Sequence, residues 1–204
     1  MNEGDVEVWR LSLAGAPERY WSMLSPDEQR RASTFRRDED RNRYVNAHGI
    51  VRRVLAAHVT RAPESLTFTL GPYGKPSLDG SNGLEFSLSH SGEIAMLAIS
   101  NGRAVGIDVV QHDPTADHRG IASRMFSPDE RRALDASSEY AAAFYDAWVR
   151  KEAWLKATGE GIQRGRDTAP SDAWETVPLQ AGTGYSAALV VAKPRGTITI
   201  MTPR

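Results

Sequence analysis

The chain has 204 residues, 40% of them hydrophobic and 25% charged, with a formal net charge of −1 and no cysteine. That length suits one large domain or two small ones with a substantial core. The near-neutral balance offers no global field for nucleic acid or anionic lipid, and the missing cysteine excludes disulfides, thiolate chemistry and zinc–thiolate sites. No stretch reads as a signal peptide or a membrane span, so the expectation is a cytoplasmic protein with neither nucleic acid nor membrane as partner.

In chain order, "VEVWRLSL" (6–13) alternates as a strand does. Ser25, Pro26 and Glu28 form a capping box that starts a helix, and Pro63 stops a long amphipathic helix predicted over 36–60. A short strand at 65–70 leads into a turn-rich loop, 71–83. Three strands follow, at 84–89, 94–100 and 104–110, joined by links short enough for hairpins. "SPDERRAL" (127–134) then echoes "SPDEQRRA" (25–32) at an offset of 102 residues, and each copy precedes a long helix, the second over 138–159. Strands near 174–179, 185–192 and 197–201 complete the chain. The predicted fold is therefore α+β: a pseudo-two-fold pair of similar halves, 1–102 and 103–204, each with a small antiparallel sheet packed on a long helix. A site between such halves would draw residues from both.

Chemistry concentrates at a few places. The chain uses 21 arginines but only four lysines, Lys75, Lys151, Lys156 and Lys193, which singles out the lysines as compact point charges suited to phosphate oxygens. Trp148, Glu152 and Lys156 recur every four residues along one helix face, flanked by Lys151. As a bare pattern this also fits a surface ion pair. Asp108 closes a strand that is apolar on both faces, so burial is expected and a cation or several donors must meet the carboxylate. Ser89 and His90 end "FSLSHSG" at a turn, and Lys75 sits on the stiff turn "YGKP". Arg30, Arg31, Arg36, Arg37, Arg41 and Arg43 read mainly as a solvated face. With no GxSxG, Walker loop or GxGxxG, two carboxylates among isolated cations suit metal-assisted phosphoryl chemistry better than acyl or hydride transfer.

"GKP", "FSLSHSG", "VGIDV", "FSPDE" and "WVRKEAWLKATGEGI" occur in that order, and over residues 25–162 the chain resembles the 4′-phosphopantetheinyl transferases of the two-half, surfactin-synthetase-activating type. The resemblance implies an enzyme that moves the phosphopantetheine arm of coenzyme A onto a serine of an acyl, peptidyl or aryl carrier protein and releases adenosine 3′,5′-bisphosphate. It implies a monomer that binds coenzyme A in the cleft between its halves. It assigns Asp108 and Glu152 to Mg²⁺ and Lys156 to the pyrophosphate; Glu152 is placed to take the serine proton, and weaker Mg²⁺ affinity with tolerance of Mn²⁺ is expected because Val110 stands where the family has a second acid. Lys75, Ser89 and His90 would hold the nucleotide, with His90 at the 3′-phosphate. Arg31, Arg43 and Lys151 match further basic positions, and Glu130 matches an acid of less defined role. Met125 and Phe126 are candidates for the carrier-facing surface, with Arg124 or Arg131 steering an acidic partner. One departure is plain: the family's G-I-D-x-E places a second acid where this chain has Val110. A catalytically weakened relative that only binds coenzyme A or a carrier is the alternative, and a phosphodiesterase releasing the arm to water is a third reading.

Overall fold

The computed structural model describes residues 1–159 and 172–201. Its elements are β1 (Val6–Ser12), α1 (Glu18–Trp21), α2 (Pro26–Ala32), α3 (Asp38–Val59), a 3-10 turn (Pro63–Ser65), β2 (Phe68–Leu70), β3 (Pro76–Leu78), β4 (Leu84–Ser91), β5 (Ile94–Asn101), β6 (Val105–Gln111), α4 (His118–Met125), α5 (Pro128–Asp135), α6 (Tyr140–Thr158), β7 (Trp174–Leu179), β8 (Tyr185–Ala192) and β9 (Ile198–Met201).

Period-two alternation sorts these strands into layers. In β5, Ala95, Leu97 and Ile99 turn toward α3 and pack with Val45, Ile50, Val51 and Leu55. Ile94, Met96 and Ala98 turn the other way and meet Val105, Ile107 and Val109 of β6 and Leu189 and Val191 of β8. Ala188 and Val190 of β8 face α6, against Val149, Ala153 and Leu155. The result is helix, sheet, sheet, helix. Each layer is held by burial of aliphatic side chains, worth about 1.5–3 kcal/mol apiece.

The two sheets repeat one plan. In the first the order is β4-β5-β1, in the second β7-β8-β6, antiparallel throughout. Both capping boxes form with the same geometry. Ser25 Oγ accepts from Glu28 N at 3.2 Å while Glu28 Oε2 accepts from Ser25 N at 2.7 Å, and Ser127 and Glu130 repeat both distances. Each box glutamate then anchors the following long helix. Glu28 accepts from Arg52 Nε of α3 at 2.7 Å, and Glu130 from Lys151 Nζ of α6 at 3.0 Å. The α+β class and the paired halves are thus as predicted, with one exchange: β9 leaves the second half and pairs parallel to β1 in the first sheet.

Two local expectations need correcting. The link at 101–104 does not close a hairpin, because both edges of β5 are already taken, by β4 and β1, so β6 enters the other sheet. The stretch 65–70 is strand only from Phe68, and the loop after it contains β3, paired with β2. Gly161 and Ile162, the end of the second helix motif, lie outside the described residues.

Candidate active site

Where the edges of the two sheets meet, "SLSHS" performs a task its letters do not announce. Alternate serines of β4 reach across to β6: Ser87 Oγ accepts from Ile107 N at 3.1 Å, Ser89 Oγ donates to Asp108 Oδ1 at 2.7 Å, and Ser91 Oγ accepts from Gln111 N at 3.0 Å. Three hydroxyls replace a backbone ladder, satisfy polar groups that would otherwise be stranded, and set β6 in register with β4.

On the other side of β6, Gly106, Asp108 and Val110 share the face toward α6. A methyl built on Gly106 would lie 2.0 Å from Ala153 O and 2.3 Å from Ala157 N. Only glycine lets helix and strand come this close. That approach brings Lys156 Nζ to 2.7 Å from Asp108 Oδ1, the oxygen Ser89 also uses. Asp108 is 5% exposed, so the predicted burial and the predicted donors are both present. Asp108 Oδ2 receives no hydrogen bond from a described residue. Glu152, one turn before Lys156, is raised above the usual carboxylate range by burial and by the charge of Asp108, against the pull of Lys156 and Lys151.

These groups border a cavity of about 490 Å³ whose lining includes Tyr73, Lys75, His90, Glu152, Lys156 and, from α3, His48. Of the residues singled out from sequence, Lys75, His90, Glu152 and Lys156 line it, and Asp108 and Ser89 stand behind Lys156. Lys75 donates to Ala157 O at 3.0 Å and Val105 O at 3.2 Å, so its ammonium clamps the last turn of α6 to the start of β6. Burial lowers its pKa, partly offset by Glu85. His90 stands at the rim. Although its side chain is exposed, desolvation by the surrounding wall, then the charges of His48 and Lys156, push its pKa below the usual imidazole value.

Three expected cations are engaged elsewhere. Arg43 is paired with Glu93 at 2.7 Å, Lys151 with Glu130, and the guanidinium of Arg31 lies over Phe35, 5.5 Å from its ring centre. Phe35 packs on Tyr44 and Tyr44 on His48, an aromatic chain that joins Arg31 to the cavity wall. Phe126 is no surface residue: it is 3% exposed, with its ring edge-on to Phe144 and Trp148. His48, which sequence reasoning missed, is hydrogen-bonded to Glu28 at 3.1 Å. Its helical spacing from Tyr44 was the available signal.

Val110 is partly buried and packs against the clusters that contain Val149 and Phe126, so the side chain two residues beyond Asp108 serves apolar packing. Among the described residues no group of three or more His, Asp or Glu side chains is placed to hold a metal ion. The pair Asp108 and Glu152 still fits a hard divalent cation. It offers carboxylate oxygens only, one of them without a hydrogen bond from a described residue, and such a cation would offset the burial and the Asp108 charge that together raise Glu152.

The site is thus a serine-bridged strand carrying buried Asp108, packed through Gly106 on a helix carrying Glu152 and Lys156. Residues 104–192 match the family model described as the 4′-phosphopantetheinyl transferase superfamily. The chain is 34% identical over 168 residues to 4′-phosphopantetheinyl transferase HetI of Nostoc sp., covering 78% of this chain and 71% of the relative. It is 33% identical over 150 residues to the putative 4′-phosphopantetheinyl transferase slr0495 of Synechocystis sp., covering 72% and 61%. It is 29% identical over 150 residues to 4′-phosphopantetheinyl transferase Sfp of Bacillus subtilis, covering 71% and 64%. The chain belongs to the 4′-phosphopantetheinyl transferase family. A solved holo-[acyl-carrier-protein] synthase of Thermotoga maritima shares 20% identity over 45% of this chain and 64% of its own, with a TM-score of 0.37, a likeness too partial to carry an argument. No helix among the described residues is long and apolar enough to cross a membrane.

Proposed function

We propose that the protein transfers the 4′-phosphopantetheine arm of coenzyme A to a serine of an acyl or peptidyl carrier protein, with adenosine 3′,5′-bisphosphate as the second product. The observation that supports this is the meeting of Glu152 and Lys156 of the second half, with Asp108 behind Lys156, on a cavity walled by Lys75 and His90 of the first.

The chemistry asks for a hydroxyl to attack a phosphorus ringed by anionic oxygens. Asp108 and Glu152 would hold Mg²⁺ or Mn²⁺, which when bound supplies charge stabilisation at the pyrophosphate. Lys156 neutralises the same oxygens from one helical turn away. Glu152, whose pKa is raised by burial and then by the charge of Asp108, would take the serine proton as base. His90 at the rim takes the 3′-phosphate and gains a proton as it does so. Lys75 orders the Tyr73–Pro76 wall through its backbone clamp. Arg31 and Arg43 stand outside the cavity lining and contribute only at longer range. The donor cleft lies between residues 1–102 and 103–204, and the protein acts as a monomer in the cytoplasm. Val110 favours one qualification of this reading: with no second acid on β6 the metal has two protein carboxylates, so its affinity is lower than in a three-acid site.

The test is incubation with coenzyme A, Mg²⁺ and apo carriers of fatty-acid, polyketide and peptide systems, read by intact mass. Asp108→Asn and Glu152→Gln should abolish the mass gain. If both variants load carriers at the normal rate, the site assignment is wrong.

A further inference from the structure

One oxygen of the buried carboxylate at this site is already held by the chain itself. Asp108 Oδ1 receives two hydrogen bonds of 2.7 Å, from Ser89 Oγ and from Lys156 Nζ. Lys156 is the last basic residue of α6 and is about one-third exposed, whereas Asp108 is almost fully enclosed. Its ammonium therefore reaches inward from the cavity. A cation seeking Asp108 from that side meets another cation in its path. The neighbouring basic residue, Lys151, differs. It is the more deeply buried of the two lysines and is committed to Glu130.

We infer that Lys156 serves as an internal counter-ion, closing Asp108 to divalent metal until a phosphate ligand draws the ammonium away, so that metal and coenzyme A load together rather than in sequence. This rests on the metal reading of Asp108 and Glu152 given above, and deepens it into a rule of order. Ser89 is the positioning residue. By holding Oδ1 it would keep the carboxylate in place while Lys156 leaves. The pyrophosphate is the natural exchange partner, because the ammonium trades one anionic oxygen for another and is never left buried and unpaired. Metal affinity and coenzyme A affinity must then be coupled, each strengthening the other by the same factor.

The experiment is direct binding of Mn²⁺, by electron paramagnetic resonance of the free ion, to the full chain without any carrier present. Wild type alone should bind weakly. Lys156→Met without coenzyme A should bind about tenfold more tightly, since a charge-assisted contact at the carboxylate has been removed. Lys151→Met is the control, for it removes an equal charge near Glu152 without freeing Asp108, and should change little. Equal tightening by both variants would show a general field and overturn the exchange. No tightening by Lys156→Met, with wild type binding Mn²⁺ once coenzyme A is added, would also overturn it and leave the metal reading standing. Failure of wild type to bind Mn²⁺ even with coenzyme A would sink the metal reading itself, and the exchange with it. A second measurement avoids variants altogether. With only four lysines in the chain, ¹⁵N-lysine labelling leaves few ammonium resonances. That of Lys156 should move when coenzyme A and Mg²⁺ are added together and stay in place with Mg²⁺ alone. Movement with Mg²⁺ alone would contradict the proposal.

Discussion

Gly106→Ala tests the geometry from which everything else follows. The added methyl would sit 2.0 Å from Ala153 O and 2.3 Å from Ala157 N, both backbone atoms of α6, where real contacts are not below 3.0 Å. The helix must therefore retreat from β6 by about 1 Å, because neither obstacle is a side chain that could swing aside. Overpacking of this kind costs about 1–3 kcal/mol, which for a chain of this size lowers Tm by about 2–4 °C per kcal/mol. The larger effect is on chemistry. Glu152 and Lys156 ride on α6 while Asp108 rides on β6, so on the proposed mechanism the retreat separates the groups that act together, and a misplacement of about 1 Å is enough for a hundredfold loss of rate. Thermal melts followed by circular dichroism and mass-resolved carrier loading read the two effects separately. Gly71→Ala is the control, since its methyl meets nothing nearer than 3.4 Å. If Gly106→Ala melts and turns over like wild type, the close strand–helix contact is not what aligns the site.

Other consequences follow from single contacts. Lys75→Met leaves Ala157 O and Val105 O without their donor and should lower stability by about 1–3 kcal/mol in urea melts; unchanged stability with collapsed coenzyme A binding would show that the ammonium serves the ligand instead. His90 starts below the usual imidazole pKa, and a phosphate beside it raises that pKa. Coenzyme A binding by calorimetry should therefore be strongest below the free pKa and weaken as pH rises through the bound one. His90→Gln should flatten that profile, and a profile that survives the substitution places the titrating group elsewhere. Glu28 is opposed by burial but carried down to about 2 by hydrogen bonds from His48, Ser25 N and Arg52. A depressed acid adds stability above its unfolded pKa near 4.5 that fades as pH falls toward 2, here about 2–3 kcal/mol after allowing for its partial exposure. Glu28→Gln should be less stable than wild type at pH 7, with the gap closing in acid, and a gap independent of pH would contradict the assignment.

What could be read from the sequence was local or periodic. The two capping boxes, α3, α6 and the three late strands are written in neighbouring residues, and all formed. The burial of Asp108 was legible because its strand is apolar on both faces, and a buried carboxylate needs donors. Which donors came to it was not legible. Ser89 and Lys156 lie 19 and 48 residues away, and only the packing of α6 on Gly106 and of β4 on β6 makes them neighbours. The same reason separates the cations. Arg43, Lys75 and Lys151 all read as phosphate ligands, yet Glu93, two backbone carbonyls and Glu130 hold them, partners set by the fold and not by spacing. The missing hairpin at 101–104 and the parallel pairing of β9 with β1 are likewise questions of which sheet edge is free, and no short window of residues answers that.

The central claim is transfer, and intact mass measures it most directly. Incubated with coenzyme A and Mg²⁺, the protein should add about 340 Da, the phosphopantetheine arm in covalent linkage, to the serine of at least one apo carrier. Glu152→Gln should add nothing. A panel of fatty-acid, polyketide and peptide carriers that all keep their apo mass, with coenzyme A bound, would contradict transfer and leave a protein that only binds the donor.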